Sequence, residues 1–185
     1  MIRFHFKLNK TLQALGLLMK DKGYSDQSTY LKLIKLLYIA DRESISETGQ
    51  PITGDRLVAM QQGPVLSGLY HIIRHQGSSP EWKRWFHASL SDKTIEMRAD
   101  PGTDLLCRYE IDKLREVSKR HRNDNRWRLR DITHDFPEWK NHNPGRSSRP
   151  IPVEDLLEAV GRSGDRASIE QDAKAQCQFA RVFEG

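Results

Sequence analysis

Asp41 is the first residue of this 185-residue chain whose position demands a chemical explanation. It follows Tyr38, Leu37 and Ile34 by three, four and seven residues, and from Leu33 to Ala40 the only polar side chain is Lys35. A helix over this stretch therefore carries a carboxylate on its packed face. An unpaired carboxylate there would cost on the order of several kcal/mol, so a donor must close on it: an Arg, a His, or the free N–H groups of a helix start. Gly63-Pro64-Val65, read as the opening of a second helix, offers such N–H groups, and on this reading the two segments form one structural clasp.

Other residues have the types that catalysis or metal binding uses. His71 and His75 lie four apart on a helical pattern, the spacing that turns two imidazoles toward one metal, yet Ile72 stands where a metalloprotease helix carries its glutamate and no third ligand is close in sequence. The expectation is a pair of partly exposed helix histidines and no metal. His134 and Asp135 fall in the run His-Asp-Phe-Pro-Glu-Trp, but no nucleophile elbow, reactive cysteine or phosphate loop accompanies them. His134 is expected to hydrogen-bond within the core with Trp139 folded over it. Asp41, Glu43, Glu47 and Asp55 offer carboxylates for a two-carboxylate hydrolase, with Asp41 paired to a histidine or to Asp55 as the enzymatic alternative. Only Asp41 faces the core side of its helix, which favours a structural anchor.

From Lys113 to Arg130 the chain carries eight Lys or Arg against Glu116 and Asp124, so this one stretch holds more than the whole net charge of +5. Lys119, Arg122, Arg126, Trp127, Arg128 and Arg130 interleave cations with one aromatic ring, the composition of a nucleic-acid stripe or of a surface for an acidic protein. Trp127 and Leu129 cannot both face the same way on a helix, so one of them belongs to the core.

The elements that must hold these residues are mostly helical. Leu8, Leu12, Leu15, Leu18 and Met19 predict an amphipathic helix over 7–22 with Gly23 as its stop. The Asp41 helix starts at a Ser28 cap and ends near Glu47 before Gly49 and Pro51, with Lys32, Lys35 and Arg42 as its polar stripe. Thr53 or Asp55 can cap the short segment 56–61, and the helix opened by Gly63-Pro64 buries Val65, Leu69, Ile72 and Ile73. After the turn Gly77-Ser-Ser-Pro80, period-two alternation over 85–88 and 94–97 predicts one small hairpin. Helices return over 109–121, 127–133 and 153–160, and a polar helical tail beyond Gly161 sets Ile169, Ala173, Cys177 and Ala180 on one side. The fold class is mainly α: a single domain of about six helices over 1–161 with one β-hairpin, and a C-terminal extension over 162–185.

Composition excludes several classes. With 37% apolar and 30% charged residues and a mean hydropathy of −0.71, the chain reads as a soluble protein. No run approaches the roughly 18 apolar residues of a membrane span. The start Met-Ile-Arg-Phe-His-Phe lacks a signal peptide's apolar region, so a cytoplasmic location is expected. Cys107 and Cys177 stand far apart, which predicts reduced thiols and neither a zinc ribbon nor a disulfide framework.

Three blocks together carry a family resemblance: Lys-Leu-Ile-Lys-Leu-Leu-Tyr-Ile-Ala-Asp over 32–41, Gly49 to Val65, and a later block comprising Tyr109 to Leu114, Leu129 to Trp139 and Ile151. In order and spacing they resemble the SocA-like, or Panacea, antitoxin domain, associated with phages and other mobile genetic elements, over about residues 8–161. The resemblance implies a mostly helical domain with a small β element, no catalytic activity and no cofactor. It implies an antitoxin of a type II toxin–antitoxin system that binds its cognate toxin, encoded by an adjacent gene, and blocks it, or in the SocA branch delivers it to the ClpXP protease. Many such proteins carry an added DNA-binding domain. No helix-turn-helix module precedes Leu8 and the segment after Gly161 is too short for one, so self-repression through DNA is not expected. On this reading Tyr38, Asp41, Gln62, Gly63, Pro64, Val65, His134 and Trp139 form the structural motif. Partner contacts are assigned to Trp82, Trp85, Trp127 and the cations Lys119, Arg122, Arg126, Arg128 and Arg130, with nucleic-acid binding by 113–130 as the alternative.

Overall fold

The computed structural model describes residues 1–21, 27–75 and 79–183. Gly23 and Gly77, expected to stop a helix and make a turn, lie outside the described residues. The chain runs through α1 (Leu8–Lys20), β1 (Gln27–Thr29), α2 (Tyr30–Thr48), β2 (Leu57–Met60), β3 (Gly63–Leu66), α3 (Ser67–Arg74), α4 (Pro80–Trp85), β4 (Phe86–Ser89) and β5 (Thr94–Met97). It continues through α5 (Arg108–Arg120), α6 (Arg126–His134), α7 (Pro137–Asn141), β6 (Ser148–Pro150), α8 (Val153–Ala159), a 3-10 turn (Ser163–Asp165) and α9 (Arg166–Phe183). The mainly α class is observed, with nine α-helices among the described residues where about six were expected. The extra helices are short: α4 and α7 each open on a proline and run for six and five residues, too few for a periodic signal.

α2 is the axis of the molecule. Its apolar residues are buried on every side because α1, α5, α6 and β3 surround it, which is why the sequence from Leu33 to Ala40 is so nearly continuous in hydrophobicity. The helix begins at Tyr30 rather than directly after Ser28, because Gln27–Thr29 pair with β5 as β1. Gly49, in the left-handed conformation at φ +77°, ends it.

Two three-stranded antiparallel sheets flank the helices where one hairpin was expected. The expected hairpin is present as β4–β5, with Ala88 opposite Ile95, and β1 extends it on the β5 side. The second sheet, in the order β3-β2-β6, corrects the reading of Gly63-Pro64-Val65: these residues form a strand, and the helix begins only at Ser67. Gln61 and Gln62 make the exposed two-residue turn between β2 and β3, with Met60 opposite Gly63 and Ala59 opposite Pro64. The alternation of the antiparallel ladder, fixed by the Ser67 N–H to Arg56 carbonyl bond that follows, turns the nitrogen and carbonyl of Pro64 away from β2. A proline is therefore tolerated on this edge, and its outward carbonyl needs another donor.

Candidate functional site: a buried polar clasp beneath an arginine and tryptophan surface

Asp41 is 1% exposed, and all its bonds go to one loop. Its Oδ1 accepts the N–H groups of Ile52 (2.8 Å) and Thr53 (3.0 Å), while the Thr53 hydroxyl donates to Oδ2. The donor is thus the turn after α2, not the Gly63-Pro64-Val65 segment. Burial pushes the Asp41 carboxyl up to about 7, against the opposing pull of the Thr53 and Ile52 hydrogen bonds. The Thr53 Oγ1 also accepts from the Asp55 N–H (3.1 Å), which links two buried carboxylates through one loop.

Asp55 supplies the cap that the sequence suggested, one element further along. Its carboxylate accepts the N–H groups of Gly68 and Leu69, each at 2.8 Å, at the start of α3. Four N–H groups at a helix start lack intrahelical partners, and a carboxylate there also meets the positive end of the helix dipole. Burial raises the Asp55 pKa, with the backbone hydrogen bonds of Leu69, Gly68 and Arg56 holding it back.

Lys35 corrects the expectation of a polar stripe. It is 2% exposed, and its Nζ donates to the outward carbonyl of Pro64 at 2.7 Å. Burial alone pulls its ammonium down to about 7. Gly63 lies against it: at φ +96°, an added Cβ would sit 2.5 Å from Lys35 Nζ and 2.8 Å from Thr133 Oγ1.

A third buried carboxylate, which sequence reading missed, is Glu138 of α7. Fully enclosed, it accepts from Tyr38 Oη (3.1 Å) and from Arg42 Nε (2.8 Å). Arg42 stacks on Phe136, with its guanidinium carbon 4.3 Å from the ring centre. Burial first, then the Glu138 charge, raises the Tyr38 hydroxyl well above its ordinary value. The only sequence signal was helical spacing: Tyr38 and Arg42, four residues apart, share a face of α2 and so reach one acceptor.

His134 lies under Trp139 as expected, with ring centroids 3.8 Å apart and planes within 6°. Its expected hydrogen bond is not found: His134 Nε2 is buried with no partner. Burial, then the charges of Lys35 and Arg130, lowers its pKa. Trp139 Nε1 instead donates to the Met60 carbonyl (3.1 Å), tying α7 to the end of β2. Of the other motif residues, Pro64 and Val65 are buried on β3 and Gln62 is exposed in the turn.

Chemically, this assembly fixes loops. The oxygens of Asp41 are bonded to Ile52 and Thr53, Asp55 is linked to it through the Thr53 hydroxyl, and among the described residues no hydrogen bond joins Asp41 to His71 or His134. The His71 and His75 rings lie 4.4 Å apart on exposed positions, and among the described residues no three His, Cys, Asp or Glu side chains form a group that could hold a metal ion.

The basic stretch divides into two parts. Lys113, 5% exposed, bonds Glu47 (2.7 Å), Glu116 (2.9 Å) and Glu43 (3.4 Å), and Arg120 bonds Glu43 and Glu116. Burial works against the Lys113 charge, but these carboxylates outweigh it and raise its pKa. These two cations therefore clamp α5 to α2. Lys119, Arg122 and Arg128 are exposed, and Arg126 and Arg130 flank Trp127, itself 47% exposed. Leu129 is the core residue of the pair. Trp82 is 1% exposed against Phe86 and presents no surface to a partner, while Trp85 is half-buried.

The sequence pattern of the family described as Antitoxin SocA-like, Panacea domain, matches residues 33–140, more than half of the chain. The chain belongs to this family. The matched span runs from the first buried turn of α2 to α7, so it contains all of the Panacea clasp: Lys35, Tyr38, Asp41, the Thr53 loop, Gly63-Pro64, His134, Glu138 and Trp139. Membership in the Panacea family supports an antitoxin role and implies a toxin partner. No curated protein and no solved structure matches the chain. Among the described residues, no helix is long and apolar enough to cross a membrane.

Proposed function

We propose that this Panacea protein is the antitoxin of a type II toxin–antitoxin pair and neutralises its cognate toxin by direct protein–protein binding, without catalysis. One observation carries the reading: within the matched span Lys35, Asp41, Asp55 and Glu138 turn inward and bond neighbouring side chains or the backbone, which leaves recognition to the surface. Asp41 holds the 51–55 loop, Asp55 starts α3, Lys35 fastens β3 to α2, and Glu138 fastens α7. Each is a device for holding a shape, and a rigid surface is what tight occlusion of another protein uses.

Co-expression with the adjacent open reading frame tests this. That product is expected to arrest growth alone, to be rescued by this protein, and to co-purify with it. A product that is harmless alone, or not rescued, removes the antitoxin reading. Rescue that persists in cells lacking a ClpXP-type protease assigns occlusion, and rescue lost there assigns proteolytic delivery. The Asp41→Asn variant is expected to rescue as well as wild type wherever it folds. A folded Asp41→Asn protein that binds the toxin without rescuing would instead favour the hydrolase reading.

A further inference from the structure

Among the large apolar side chains that the described residues expose is Trp127, which is flanked by charge. Its ring projects from the first turn of α6, where the Asn125 side chain caps the N–H groups of Trp127 and Arg128, each at 2.9 Å. The guanidinium of Arg126 lies 4.8 Å from the ring centre and that of Arg130 5.2 Å from it. Arg130 is fixed in turn by Asp131, whose Oδ1 accepts from Nε (2.9 Å) and Nη2 (2.7 Å). Beneath, Leu129 and Thr133 are wholly buried, so the platform cannot slide on the domain. An exposed tryptophan ordered in advance is the kind of side chain that supplies most of the energy of a protein interface, because little rotamer freedom remains to be lost on binding.

The surrounding charge defines what it fits. The nearby carboxylates are already engaged: Asp124 with His121 Nδ1 (2.8 Å), Asp131 with Arg130, and Glu116 with Lys113 and Arg120. Arg122, in the turn before α6, and Arg128, in its first turn, stand exposed. A partner surface that presented cations here would be repelled, and one that presented carboxylates would be drawn in and oriented. Nucleic acid fits less well, because a base stacks on the ring face and two guanidinium groups already lie over this ring.

We infer that Trp127 is the anchor of the toxin interface, entering an apolar pocket that is rimmed by carboxylates on the partner protein. This rests on the reading that the protein binds its toxin directly. It is tested with the purified product of the adjacent gene and full-length wild-type, Trp127→Ala, Arg128→Glu and Phe179→Ala proteins, whose melting temperatures report that each is folded. Trp127→Ala is expected to weaken binding roughly 30-fold or more. Arg128→Glu is expected to slow association roughly tenfold at low salt, with the difference closing as salt rises. Phe179→Ala, in the last turns of α9, is expected to leave affinity unchanged. Wild-type affinity in a folded Trp127→Ala protein overturns the anchor and leaves the antitoxin reading intact, whereas no binding by wild type overturns the reading beneath it. A gel shift of a single-stranded RNA that Trp127→Ala abolishes, with toxin affinity retained, also overturns the anchor and assigns the surface to nucleic acid.

Discussion

Burial moves the two central ionisable groups of the clasp in opposite directions, and the consequences for stability have opposite signs. Asp41 titrates near 7 when folded against an ordinary value of 3.8, so between these values the native state holds a proton that the unfolded chain has released. Its contribution to stability therefore falls as pH rises from about 4 to about 7. Asp41→Asn keeps the acceptor without the charge, and its stability relative to wild type is expected to improve by about 2–4 kcal/mol between pH 4.5 and pH 8. A difference between the two proteins that stays flat in urea titrations across that range would show that Asp41 ionises normally. For Lys35 the folded value is about 7 against 10.5, so between these values the unfolded chain holds the extra proton and stability rises with pH. Any advantage of Lys35→Met over wild type is accordingly largest at or below pH 7, and is expected to shrink by about 2–4 kcal/mol on going to pH 10. Its absolute size is reduced by the Pro64 carbonyl, which the substitution leaves without a donor.

At the scale of elements, the β2–β3 hairpin is the piece whose geometry most constrains sequence. Pro64 is admitted because its nitrogen faces away from the ladder, and Gly63 because its φ of +96° and its neighbours leave no room for a side chain. Gly63→Ala must strain the backbone and displace both Lys35 Nζ and Thr133 Oγ1. A loss of about 2–4 kcal/mol is expected, seen as a lower urea midpoint with an unchanged slope. An alanine variant within a few tenths of a kcal/mol of wild type would show that the loop relaxes freely. The α2–α5 pair shows how the fold redirects charge. Glu43 and Glu47, which the sequence offers as carboxylates for a two-carboxylate site, are used to neutralise Lys113 and Arg120.

Over the whole molecule, α9 closes the structure. Ile169 and Ala173 join the core, and the Arg162 guanidinium caps the end of α2 through the carbonyls of Ser46 (2.7 Å) and Glu47 (3.0 Å). The N-terminal segment is held between: Ile2 N–H donates to Glu154 (2.8 Å), and Lys7 N–H to the Thr53 carbonyl of the clasp loop (2.9 Å). Although α9 lies outside the span shared with the family, removal of residues 162–185 is expected to cost about 3–5 kcal/mol from lost burial and lost caps. For a chain of this size that lowers the melting temperature by about 10 °C in a thermal scan. An unchanged melting temperature would make the segment an appendage.

Most helices were legible because helical order is a local matter. Apolar residues at three- and four-residue spacing located α1, α2, α5, α6, α8 and α9, and glycine marked where α2 ends. Nearly continuous hydrophobicity over 33–40, broken only by Lys35, marked α2 as a core helix, and the order of three motif blocks identified the family. The sequence also required that Asp41 have a donor, since burial of a carboxylate dictates one. Which donor it has was a tertiary decision. The Gly63-Pro64 pair reads equally as a first helical turn and as an out-facing edge strand, and only the pairing with β2 makes it β3. Pairing Val58 with Pro150, or Arg42 with Glu138, joins residues some ninety positions apart, and no local pattern carries that choice. The same holds for the tryptophans. Trp82, Trp85 and Trp127 are equally conspicuous in the sequence, and only the packing of Phe86 on one side and Leu129 on the other decides that Trp82 is buried and Trp127 faces out.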